Sequence, residues 1–165
     1  MTDPSRSAAH AQRILGEIRE EAARADTKAS ILLGTTAVAV GAVLGGLFAG
    51  RWRPHDLGSG QWLWWCGSAM TCTAIVLFLA AIYPRRGSSS RPATLVSFYG
   101  DALRQKSPYS LATALERSSR AELDTLADQI FTMSRLVRTK YLLIQVGVWT
   151  LASAAAAWLV SPFLV

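Results

Sequence analysis

Three stretches of this chain contain no charged residue: 31–50 (ILLGTTAVAVGAVLGGLFAG), 62–83 (WLWWCGSAMTCTAIVLFLAAIY) and 141–160 (YLLIQVGVWTLASAAAAWLV). An α-helix rises about 1.5 Å per residue, so roughly 20 residues cross the ~30 Å hydrocarbon core of a bilayer. A buried helix of a soluble domain seldom runs that long without a polar face. Each stretch is therefore long enough to cross a membrane once. Composition agrees, with 51% hydrophobic residues and a mean hydropathy of +0.25, high for a soluble chain. The expected fold class is an all-α membrane protein. Three transmembrane helices carry a cytoplasmic helical bundle, formed by an N-terminal helix over 1–29 and the segment 84–140 between spans two and three. The first apolar run is longer than a signal-peptide core and follows a stretch rich in both charge signs, so it is expected to stay uncleaved.

Orientation follows from the cations, because Lys and Arg flanking short loops favour the cytoplasmic side. Five precede the first span (Arg6, Arg13, Arg19, Arg24, Lys28), ten lie in the second connection, and only Arg51 and Arg53 occupy the loop 51–61. Three spans place the N-terminal stretch and the long connection on the cytoplasmic side of the inner membrane, and the C-terminus outside. Trp62, Trp64, Trp65 and Trp158 then mark the outer interface, and Tyr83 and Tyr141 the inner one.

The segments before and between the spans are patterned as helices. Ala11, Ile14, Leu15, Ile18, Ala22, Ala25 and Ala29 recur at helical spacing, predicting a helix that runs on into the first span. Its opposite face carries Arg13, Glu17, Glu20, Arg24 and Lys28, with Glu20 and Arg24 at the favourable i, i+4 separation. That face reads as solvated and self-paired. In the long connection the pattern predicts one helix over 93–106. Ser107-Pro108 gives an N-cap with Pro at the first helical position, and Ser119 with Glu122 matches a capping box. Leu123, Leu126, Ile130, Met133, Val137, Tyr141 and Ile144 step by threes and fours, so the last helix should continue unbroken into the third span.

Catalysis finds little support. The histidines are His10 and His55, far apart in sequence, and no Cys/His or His/carboxylate constellation has metal-binding spacing. There is no Walker-type phosphate loop and no GxGxxG after a strand. No enzyme activity, cofactor or metal is expected, and nucleic acid is not an expected partner. Cys66 and Cys72 stand about 240° apart around one helix, too far to bridge, and read as small apolar packing residues.

Gly41-xxx-Gly45 and Gly46-xxx-Gly50 allow close approach of helix backbones within a bilayer. They fit a homo-oligomer, and they fit equally packing inside one protomer, where Gly67, Ser68, Thr71 and Cys72 offer a small-residue face. The spans contain no ionisable residue that would mark a constitutive ion path.

Residues 22–34 (AARADTKASILLG) run a charged cluster directly into the first span, and 129–141 (QIFTMSRLVRTKY) approach the last. Together they resemble the family of Pycsar effector proteins with transmembrane helices, which belongs to a bacterial anti-phage system. The resemblance runs in order along nearly the whole chain: an Ala-Asp-x-Lys-Ala approach, two spans, a helical segment, and a Ser-x-x-x-x-x-Lys-Tyr approach to the last span. It implies a cytoplasmic region that senses a cyclic pyrimidine nucleotide, cyclic CMP or cyclic UMP, from a partner cyclase, and a membrane whose integrity is lost on binding. The residues it singles out as nucleotide-binding or signalling are Arg24, Asp26, Lys28, Ser134, Arg138 and Lys140.

Each has a plainer role. Arg24 and Lys28 share a helix face and can meet lipid phosphates or Glu20; Arg138 and Lys140 can simply anchor a span. Asp26 is more informative, because a carboxylate just before a span has no topogenic use and is expected to bond to a neighbouring helix, at Ser134 or Arg138. The competing reading is a constitutive membrane scaffold or accessory subunit, whose basic segment binds anionic lipid or an acidic partner; the net charge of +6 fits it equally well.

Overall fold

The computed structural model describes residues 4–51, 53–83, 107–109, 111–113 and 122–164. Among these residues every regular element is helical. Helix α1 spans Pro4–Phe48, α2 spans Gln61–Ile82 and α3 spans Glu122–Val160. A 3₁₀ segment, Pro54–Gly60, precedes α2, and another, Ser161–Leu164, follows α3. All three α-helices are long and apolar enough to cross a membrane. Only 6%, 28% and 17% of their most apolar windows are buried by the protein itself. That much uncovered apolar surface is tolerable in lipid and costly in water, so the chain is an all-α membrane protein.

The two expected continuities hold, since α1 and α3 are each single helices through a polar segment and an apolar run. On α1 the predicted stripe is the covered face: Ala11, Leu15, Ala25 and Ala29 are buried, and Ile14, Ile18 and Ala22 are half-buried. The predicted start at Ser107-Pro108 is also present: the Leu111 amide donates to the Ser107 carbonyl at 3.1 Å, the first bond of a helical turn. The helix expected over 93–106 and the capping box at Ser119 lie outside the described residues.

The chain divides into two compact units. The first comprises Met1–Arg24 and Pro84–Arg138, and the second Ala25–Tyr83 and Thr139–Val165. In the first, Ala11 and Leu15 of α1 pack on Leu126 of α3, with Ala8, Ile130 and Met133 around them. The Gln12 amide donates to the Glu122 carboxylate at 3.1 Å. In the second, Ala25, Ala29, Ala81 and Ile144 form a core that joins α1, α2 and α3, flanked by Leu32, Ile82, Tyr141 and Leu143. The alanines let the three backbones close up, as small residues do between membrane helices.

The span hydroxyls follow the same logic. Thr36, Ser68, Thr71, Thr73, Thr150 and Ser153 each donate to the carbonyl one turn back, at 2.7–2.9 Å. A polar group in hydrocarbon must find an internal partner, and the preceding turn is the nearest. Towards the C-terminal end of α3, the Trp158 indole N–H donates to the Trp64 carbonyl at 3.3 Å, and the Ser59 hydroxyl donates to the Leu164 carbonyl.

The small residues of the spans separate by environment. Gly50 sits at φ 66° after the end of α1, its amide donates to Leu47 and that of Arg51 to Gly46. This is a Schellman cap, which favours glycine at the left-handed position. Among the described residues, Gly41 and Gly45 face open space, with nothing within 4 Å of an added methyl. The close-approach glycines are Gly60, Gly67 and Gly147, set against Ser161, Trp158 and Phe78 respectively. Cys66 and Cys72 are both exposed.

Candidate functional site

The second unit holds a polar cluster at the start of the apolar runs. Asp26 of α1 forms an ion pair with Lys140 of α3, and two residues further along α1 Lys28 reaches Tyr141. The Lys28 ammonium donates to the Tyr141 hydroxyl at 3.4 Å and lies 5.2 Å from the ring centroid, within cation–π range. Lys140 is the more enclosed partner, its side chain 14% exposed against 42% for Asp26. A lysine so covered needs a counter-charge, which explains a carboxylate at a position where topology has no use for one. The partner differs from the expected Ser134 or Arg138. Lys140 lies one residue before the apolar run, and the register of α1 against α3 brings its ammonium to Asp26.

In the first unit, Ser134 and Arg138 of α3 line a cleft of about 430 Å³ with Val137, opposite Glu17, Ile18 and Glu21 of α1. Each wall presents an i, i+4 pair, which is why both members reach the same opening. The walls differ in chemistry. Arg138 offers only donors and Ser134 a hydroxyl, whereas the two carboxylates only accept. Arg24, the remaining predicted residue, lies 3.4 Å from the Glu21 carboxylate and 3.6 Å from that of Glu20. It thereby offsets the charge of Glu21 and leaves Glu17, which has no ion pair among the described residues, as the uncompensated carboxylate of the cleft.

Sequence reasoning missed Glu17 and Glu21 as lining residues. The available signal was their own i, i+4 spacing, matched by the i, i+4 pair Ser134 and Arg138 on a helix sharing the same hydrophobic core. A third feature lies among the spans, an open groove of about 340 Å³ lined by Thr35, Thr36, Thr71, Leu151 and Trp158 among others. No group of three or more His, Cys, Asp or Glu side chains that could hold a metal occurs among the described residues.

Fold and clusters together define an all-helical membrane protein of three candidate spans. Two of its helices run from a charged cleft into the apolar region. The chain belongs to the Pycsar effector family: the family profile described as Pycsar effector protein domain matches residues 10–165, nearly the whole chain. It is thus a membrane effector of anti-phage defence, and the family indicates no catalytic activity. No curated protein and no solved structure gives a significant match to it.

Proposed function

We propose that this effector senses a cyclic pyrimidine nucleotide supplied by a partner cyclase and responds by impairing the integrity of the inner membrane. The N-terminal helix and the segment 84–140 are cytoplasmic in this reading and the C-terminus is outside, in keeping with fifteen Lys and Arg on one side against two on the other. The observation that carries the proposal is the cleft of Glu17, Glu21, Ser134 and Arg138, built on helices that are the same covalent rods as spans one and three. A cyclic nucleotide has a single phosphate charge, and Arg138 with the Ser134 hydroxyl offers it a charge-assisted set of bonds.

Binding acts by population shift: a ligand bridging α1 and α3 favours one arrangement of these helices over another. Asp26 with Lys140, and Lys28 with Tyr141, are the signalling contacts in this scheme, fixing α1 to α3 at the start of the spans. Three helices alone line no wide pore, so the membrane lesion is built by several copies, with the uncovered Gly41 and Gly45 on the surface between them.

The first test is the melting temperature of detergent-purified protein with cyclic CMP, cyclic UMP, cyclic AMP and cyclic GMP. A ligand at 100 times its dissociation constant stabilises the folded state by roughly 2.7 kcal/mol, which is readily measured. A pyrimidine-specific rise is expected, and Arg138→Ala should weaken it, raising Kd about tenfold to a hundredfold through loss of a charge-assisted contact. No shift with any nucleotide, in protein shown to be folded, would favour a constitutive scaffold. Orientation is checked separately: a periplasm-active reporter fused after Val165 should be active, and one inserted near Ser107 should be silent.

A further inference from the structure

We infer that the cleft discriminates between the two pyrimidines and selects cytosine, with Glu17 as the residue that reads the base. The inference rests on the reading of this cleft as the nucleotide site and extends it to the identity of the ligand. Among the described residues the cleft is asymmetric: Ser134 and Arg138 put donors on the α3 wall, and the α1 wall carries the acceptor-only carboxylates of Glu17 and Glu21. Glu21 is engaged by Arg24 at 3.4 Å, whereas Glu17 has no ion pair among the described residues. A nucleotide whose phosphate lies on Arg138 therefore turns its sugar and base towards a wall that demands donors.

The ribose 2′-hydroxyl can meet that demand in either nucleotide and does not discriminate. The bases do. Cytosine presents an exocyclic amine with two N–H groups, the natural partner of a Glu or Asp carboxylate. Uracil presents one N–H flanked by two carbonyl oxygens, so a carboxylate that accepts its proton faces an acceptor on either side. Discrimination arises because cyclic CMP gives the carboxylate a donor, whereas cyclic UMP sets acceptor against acceptor and forgoes that bond.

A well-placed base-edge contact discriminates by roughly tenfold or more. Full-length protein in detergent should therefore bind cyclic CMP about ten times or more tightly than cyclic UMP by titration calorimetry. Glu17→Gln replaces one acceptor by a donor at constant size, and should bring the two affinities to within about threefold by losing cyclic CMP and gaining cyclic UMP. Glu20→Gln makes the same charge change on a side chain that does not line the cleft, and should preserve the preference. Arg138→Ala should weaken both nucleotides alike. Since Glu17 is exposed, its variant is expected to melt with the parent, and that measurement accompanies the titration. Equal or tighter binding of cyclic UMP by the parent, or an unchanged ratio in Glu17→Gln, overturns the base assignment and leaves sensing intact. Binding of neither nucleotide overturns the sensing reading itself, and this inference with it.

Discussion

Asp26→Asn will insert into the membrane normally, but its leakage will no longer follow the nucleotide. The substitution keeps the size of the side chain and removes the charge that Lys140 faces. Insertion is set by the apolar runs and the surrounding cations, none of which changes. Lys140 is left largely buried without its counter-ion. Stranding a buried charged donor costs about 1–3 kcal/mol. Asp26 is itself 42% exposed, so water partly replaces it and the lower half of that range is expected. The two helices then lose the Asp26–Lys140 ion pair at the start of the spans, while the cleft of Glu17, Ser134 and Arg138 is untouched. Nucleotide affinity should therefore persist while dye release from loaded vesicles becomes insensitive to ligand. The exchanged pair, Asp26→Lys with Lys140→Asp, restores opposite charges and should recover part of the response, which neither single variant does. Normal nucleotide-dependent leakage in Asp26→Asn would remove the ion pair from the mechanism.

Why Asp26 stood out in the sequence while its partner did not is a matter of what each signal depends on. A carboxylate beside an apolar run is anomalous on local grounds alone. The identity of its partner depends on the register of α1 against α3, residues more than a hundred positions apart, which no local pattern encodes. Lys140 was also masked by a second sufficient explanation, the anchoring of a span at its interface. The stripe Ala11, Leu15, Ala25 and Ala29 was legible because burial on a helix repeats every three or four residues, whatever it packs against. Glu17 lay among the charges of the solvated face and Glu21 beside the apolar stripe, so the cleft they form with Ser134 and Arg138 needed the second helix in place. The glycines separate similarly. A small-xxx-small spacing marks a face that can be approached, but the approach itself is a property of two helices. Hence Gly41 and Gly45 are unused within the chain, and isolated Gly147 is filled by a phenylalanine ring.

That division among the glycines gives a prediction with large and opposite effects. A methyl added at Gly147 would lie 2.6 Å from Cε1 of Phe78, and 3.0 and 3.2 Å from two further ring carbons. Phe78 is completely buried, so the ring has no free space to turn into. At Gly67 the methyl would lie 2.6 Å from Cδ1 of Trp158 and 3.1 Å from the carbonyl oxygen of Ala154; moving the indole would break its bond to the Trp64 carbonyl. Overpacking of this kind typically costs about 1–3 kcal/mol. Gly147→Ala and Gly67→Ala should each lose that much in reversible unfolding of the detergent-solubilised protein. Gly41→Ala meets nothing, and replacing a helical glycine by alanine favours the helix by up to about 1 kcal/mol, so the same assay should find it neutral or slightly stabilised. Gly41→Leu goes further, because it leaves the protomer's own packing alone and fills the surface that a second copy would use. If copies meet there, the leucine variant will keep the parent's unfolding midpoint and lose both its cross-linked oligomers and its nucleotide-triggered leakage. Oligomers that survive Gly41→Leu would place the assembly surface on another face of the spans.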